Sequence, residues 1–207
     1  NIQQYVQELR ESPEREMRSL LNALNGGFIA PSPGGDAVRN PNTLPTGRNL
    51  FGINAEATPG VRAWDEGKAL AKSTLDRYYR KHGEYPRKVS YTFWAGEFIE
   101  TEGATLAQAL YMLGVAPVRD GMNRVTDLRL IPSAELGRPR IDVVVQTSGQ
   151  LRDVAASRLE LLTKAVKMVA QSENDTCGNY VSEGTVESER ILLEKGFSPK
   201  EARELST

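Results

Sequence analysis

Two residue types that build reactive centres are almost missing from this chain: of its 207 residues, one is histidine (His82) and one is cysteine (Cys177). A metal site built on His and Cys ligands, or a thiol–imidazole pair, therefore cannot be assembled within it. A serine triad would depend on His82, which falls in a charged Arg-Lys-His-Gly run away from any serine at a strand end. A lone thiol makes no internal disulfide, and Asn1-Ile2-Gln3-Gln4 is not a secretory leader, so a cytoplasmic protein is expected. No apolar run approaches the roughly 18 residues of a membrane span. Charge of one sign is also lacking: 26 Lys and Arg against 27 Asp and Glu leave a net charge of -1, and no long-range field to gather nucleic acid or an anionic membrane. Neither G-x-x-x-x-G-K-[ST] nor a G-x-G-x-x-G after a strand occurs, so the chain is expected not to bind ATP itself.

What is present reads as a globular α/β chain, with 39% hydrophobic and 26% charged residues excluding disorder as its main state. Ser12-Pro13, then Met17, Leu20, Leu21 and Leu24, and a stop at Gly26-Gly27 predict a helix over 13–25. From Gly26 to Thr58 the pattern dissolves into Pro, Gly, Asn and Arg, yet Phe28, Ile29, Leu44, Leu50, Phe51 and Ile53 are anchors that predict an ordered segment wrapped over a core. Thr58-Pro59 opens a second helix with Trp64, Ala71, Leu75 and Tyr78 on one face, closed by Gly83. Residues 88–94 (KVSYTFW) read as a strand, 101–113 as a helix, and 115–118 and 125–131 as short strands around a polar turn. The run 141–146 (IDVVVQ) has the apolar continuity of a strand buried on both faces of a parallel sheet, followed by a helix to 170. Ser198-Pro199-Lys200-Glu201 is a capping box for a terminal helix. The expected fold is α/β and three-layered, around a small, mainly parallel sheet, in three stretches: helix and Gly/Pro-rich loop (1–57), α/β core (58–171), and polar linker with terminal helix (172–207). Asn1 in place of Met, and a helical pattern reaching the last residues, fit a segment of a longer protein.

Two places carry chemistry. The loop Pro31-Ser32-Pro33-Gly34-Gly35-Asp36 continues through Arg39-Asn40-Pro41 to Thr46-Gly47-Arg48-Asn49, pairing exposed backbone amides with forked donors suited to carboxylate, phosphate or amide groups. The same arginines could instead bond carbonyls of a tight loop. The second place follows the first long strand, where Trp94 leads into Glu97, Glu100 and Glu102 on the rim at which open α/β sheets take ligands. Those carboxylates could act as bases or hard-metal ligands, or simply complement a helix dipole. Ser148 to Asp153 lies on the same rim, as a third cluster or as a helix cap.

Taken together, Pro33-Gly34-Gly35-Asp36-x-x-Arg39-Asn40-Pro41, Leu44-Pro45-Thr46-Gly47-Arg48-Asn49, Glu102-Gly103 with Gln108-Ala109-Leu110, and above all the run 135–145 (ELGRPRIDVVV) resemble the large subunit of class I tetrapyrrole metal chelatases. This is the family that unites the CobN component of cobaltochelatase with the ChlH-type component of magnesium chelatase, and the resemblance runs in order from about Asn22 to the end. It implies insertion of Co²⁺ or Mg²⁺ into a porphyrin- or corrin-type ring, with ATP hydrolysed on AAA+ type partner subunits and the other domains of the large subunit completing the enzyme. It further implies Glu97 and Glu102 as catalytic proton handlers, Asp36 as a metal ligand, and Arg39, Asn40, Arg48, Asn49 and Trp94 as holders of the ring. The sequence departs from the family's usual Trp-Gly-Thr and following Lys, reading Trp94-Ala95-Gly96 and Glu100. A non-catalytic ligand-binding or structural α/β domain is the alternative.

Overall fold

The structure, a computed structural model, describes residues 2–38, 41–173 and 175–206. Eight helices and six strands are found among them: α1 (Ile2–Leu24), β1 (Pro31–Pro33), β2 (Asn49–Phe51), α2 (Val61–His82), β3 (Lys88–Phe93), α3 (Ala95–Glu100), α4 (Ala104–Leu113), β4 (Val115–Arg119), β5 (Val125–Leu130), α5 (Ser133–Leu136), β6 (Asp142–Thr147), α6 (Gly149–Ala170), α7 (Tyr180–Glu194) and α8 (Pro199–Leu205). β3 and β6 run parallel, in register from Lys88 opposite Asp142 to Phe93 opposite Thr147. β4 and β5 form an antiparallel hairpin, and β1 and β2 a short parallel pair inside the Gly/Pro segment. The mixed α/β architecture with small parallel sheets and terminal helices is the one expected.

The centre of the molecule is α4. Leu106, Ala107, Ala109, Leu110, Met112 and Leu113 are fully buried, which is why this helix is apolar nearly all round rather than striped. The inner face of the sheet brings Val89, Tyr91 and Phe93 together with Val143 and Val145 toward that core, while Ser90, Thr92, Val144 and Gln146 are exposed. The 141–146 run is thus buried on one face only, with Val144 48% exposed. An unbroken β-branched run reports β-propensity, and it cannot say how many faces are covered.

Other local readings change for physical reasons. The first helix starts at Ile2 and carries Pro13 in its interior. Ser12, expected as its cap, is buried; its hydroxyl donates to the Glu8 carbonyl (2.8 Å) and accepts from the Thr46 amide (3.0 Å), tying the helix to the Gly/Pro segment. α2 begins two residues after Pro59, with Gly60 as its cap residue, and ends at Gly83 in the left-handed region as expected. Within 172–207, α7 is a helix the polar composition conceals: its start is fixed by Asn179, whose side chain accepts from the amides of Val181 and Ser182. The capping box at Ser198 and Glu201 is formed.

The run 135–145 organises these parts. Gly137 closes α5 in the left-handed region, and the two arginines that follow fold back onto the C-terminal end of α4, where orphan carbonyls and the dipole favour cations. Arg138 donates to the carbonyls of Tyr111 and Met112. Arg140 donates to those of Gly114 (2.6 Å) and Ile131 (2.9 Å), and its Nε pairs with Asp175 at 2.6 Å. The Arg140 and Asp175 side chains are 3% and 5% exposed, so this is a buried ion pair with its hydrogen bonds filled. Gly114 has φ 76°, and a Cβ there would come within 2.5 Å of the Arg140 guanidinium. Asp175→Ala would strand the Arg140 charge in the interior. A loss of about 3–5 kcal/mol is expected, read as a lower urea midpoint with unchanged slope, and a loss under about 1 kcal/mol would refute the clamp.

Candidate functional site

The site grows from the connection between α3 and α4. To turn one helix into the next within three residues, Glu102 (φ 52°) and Gly103 (φ 83°) both take left-handed backbone, unusual for a glutamate and the kind of strain that structures hold where a side chain must be aimed. The Glu102 carbonyl accepts from the Gly60 amide at 2.9 Å. A Cβ on Gly60 would lie 2.6 Å from Glu102 Oε2, so the glycine leaves room for that carboxylate over the start of α2. One turn earlier, Glu97 is fixed by two hydroxyls: its Oε1 accepts from Thr101 (3.0 Å) and Thr105 (2.7 Å).

Opposite stands the Gly/Pro segment, and arginines hold it there. Arg158, buried on α6, pairs with Glu56 at 2.7 Å and donates to the carbonyls of Thr58 and Val125. Arg119 donates to Pro59 and Asn123 carbonyls, and burial lowers its pKa. Arg48 donates to the carbonyls of Pro45, Asn42 and Leu44 at 2.8–3.1 Å.

Between segment and helices lies a cleft of two cavities. One, of about 410 Å³, is walled by Phe51, Ile53, Val61 and Ile99 with Arg62, Arg119 and Glu102. The other, of about 580 Å³, is lined by Tyr5, Glu66, Glu97, Glu100, Glu102 and Gln108. Both volumes fall in the range of small-molecule sites. Arg62 and Glu102 border both cavities. Arg62 Nε donates to Glu66 at 2.7 Å, and that bond, with the nearby carboxylates, raises its pKa.

Of the residues singled out by sequence, Glu97 and Glu102 meet on this cleft. Asp36 is exposed, its carboxylate accepting from the Val38 amide at 2.7 Å, and it borders neither cavity. Arg48 grips loop carbonyls, Asn49 is exposed on β2 with its amide bonded to the Ala30 carbonyl, and Trp94 is 63% exposed just before α3. Arg39 and Asn40 lie outside the described residues. Among the described residues no three His, Cys, Asp or Glu side chains come close enough to hold a metal ion, and no helix is long and apolar enough to cross a membrane. Ser148 is the cap of α6, accepting from the Leu151 amide. Arg62 was missed, although a cation in the first turn of a helix opposes the dipole and signals another purpose.

Fold and cleft together define an α/β segment that presents an acid-lined ligand cleft. The sequence profile described as CobN/Magnesium Chelatase matches residues 1–207, and the chain belongs to that family. It is 40% identical over 190 residues to the magnesium-chelatase subunit ChlH of rice chloroplasts, covering 91% of this chain and 14% of that protein. It is 36% identical over 200 residues to the aerobic cobaltochelatase subunit CobN of a Sinorhizobium species, covering 96% of this chain and 16% of that protein. The solved catalytic subunit of cobaltochelatase from Mycobacterium tuberculosis superposes with a TM-score of 0.78 at 38% identity, over 95% of this chain and 17% of that one. The chain thus spans only a small fraction of the length of these relatives.

Arg48→Ala removes one donor from three loop carbonyls. A loss of about 1–3 kcal/mol is expected, with faster proteolysis between Gly34 and Phe51, and an unchanged melting temperature would contradict the stapling.

Proposed function

We propose that this chain is the cleft-bearing segment of the large subunit of a metal chelatase that inserts Co²⁺ or Mg²⁺ into a porphyrin- or corrin-type ring, in cobalamin or chlorophyll-type biosynthesis. The observation that carries this reading is the meeting of Glu97 and Glu102 on a cleft whose other half is apolar. A flat ring losing two pyrrole protons as it takes up a cation needs an apolar wall, a positioned base and oxygen ligands in one place. Glu97, held through Oε1 by two threonine hydroxyls, is the placed proton acceptor; Glu102, aimed by its left-handed backbone, is the second carboxylate. Asp36 is proposed as a ligand that delivers the substrate metal, and Arg39, Asn40, Arg48, Asn49 and Trp94 as ring-holding residues on the segment side. The stretch 58–171 is the working core, with 1–57 and 172–207 as flanking elements.

The remaining steps lie with partners. ATP is hydrolysed on AAA+ type subunits of a cytoplasmic complex, in keeping with the lack of a phosphate loop here. Other domains of the same subunit cover the exposed apolar residues of α1, among them Leu9, Met17, Leu20 and Leu24. That surface also suits the second reading, a structural assembly domain.

The test is Glu97→Gln in the full-length subunit, assayed with its ATPase partners. Turnover of metal insertion is expected to fall by about 10²–10⁴ while ring affinity changes less than about twofold. Full turnover would remove Glu97 from the mechanism, and absence of ring binding by the wild type would overturn the chelatase reading.

A further inference from the structure

The two cavities differ in charge. Among the described residues the smaller is lined by Arg62, Arg119 and Glu102, a net positive charge of one, with Phe51, Ile53, Val61 and Ile99 as apolar wall. The larger carries Glu66, Glu97, Glu100 and Glu102 against Arg62 alone, a net negative charge of three. Arg62 stands on the boundary. Its Nε is taken by Glu66, but Nη1 and Nη2 have no hydrogen-bond partner among the described residues. Arg119, by contrast, has both terminal nitrogens on backbone carbonyls, so it supplies charge without a spare donor edge.

We propose that Arg62 is a substrate-orienting residue that reads a peripheral carboxylate of the ring, engaging it through the Nη1/Nη2 edge while the apolar body of the ligand lies in the smaller cavity. This rests on the chelatase reading above. A guanidinium whose Nε is already anchored presents its remaining donors in a fixed direction, which suits a bidentate grip on a carboxylate and lowers the ordering cost of binding. The acidic cavity beyond repels the same carboxylate. The ligand is therefore admitted in one sense only, with its anionic edge at Arg62 and its centre turned toward Glu102. Glu66 is the residue that positions Arg62, and the Glu102 carboxylate bordering the same boundary keeps free anions from competing strongly for it.

The experiment uses the full-length subunit and two probes, deuteroporphyrin IX and its dimethyl ester, which share the ring and differ in the carboxylates. Wild type should bind the diacid at least about tenfold more tightly than the ester, and Arg62→Gln should weaken the diacid by about tenfold or more while leaving the ester within about twofold. Unchanged ester binding shows that the variant is folded. Arg62→Lys should recover only part of the preference, because it keeps the charge and loses the fork. Wild type binding both probes equally, or Arg62→Gln keeping the wild-type preference, overturns the assignment and leaves the chelatase reading standing. Wild type binding neither probe overturns both.

Discussion

Buried guanidinium groups bonded to main-chain carbonyls are the interaction on which this architecture depends. Arg138 and Arg140 close the C-terminal end of α4, and Arg140, through Asp175 and Asn179, ties that end to the start of α7 and to the Val169 carbonyl at the end of α6. Each carbonyl would otherwise be an unsatisfied polar group in an apolar core. Aliphatic side chains could fill the same volume but could not take over this role, since none can donate to several carbonyls at once. The clamp also fixes where Ile141 enters the sheet, and so the register of β6 on β3.

The same device shapes the cleft. A segment so rich in Pro and Gly has little secondary structure with which to satisfy its backbone, and its carbonyls are met instead by Arg48 from within, and by Arg119 and Arg158 from the core. Because Arg119 and Arg158 belong to β4 and α6, the position of the segment is inherited from the rigid part of the molecule. The cavities it encloses are accordingly preformed rather than dependent on a ligand to order them. Carboxylates come from the helical side and donors from the helix start, which separates negative from positive lining across a single arginine.

Membership of the CobN/Magnesium Chelatase family and the geometry bear on each other through the most diagnostic stretch of sequence. The run 135–145 is a folding motif: its Gly closes a helix, its arginines cap another, and its valines enter a strand. A motif of that kind identifies the scaffold and touches neither cavity with Arg138 or Arg140. The residues that border the cleft sit in less distinctive sequence around Gly60, Arg62 and Glu102.

Sequence alone determined the α/β class, the strands at 88–94 and 141–146, the terminal capping box and the carboxylates after the first strand, because each is written in local periodicity or a short-range pattern. It also set the limits of the chemistry, since one His and one Cys leave only oxygen ligands and forked cations to work with. Tertiary structure decided what periodicity cannot encode. Ser12 became a bridge rather than a cap because Thr46 lies against it, and the 141–146 strand was left with one open face. Arg48 was turned inward onto loop carbonyls, while Arg62, with no motif around it, was placed at the boundary of both cavities. An arginine's sequence neighbours are the same whether it meets a carbonyl or a cavity, and only the fold brings the distant backbone that distinguishes the two.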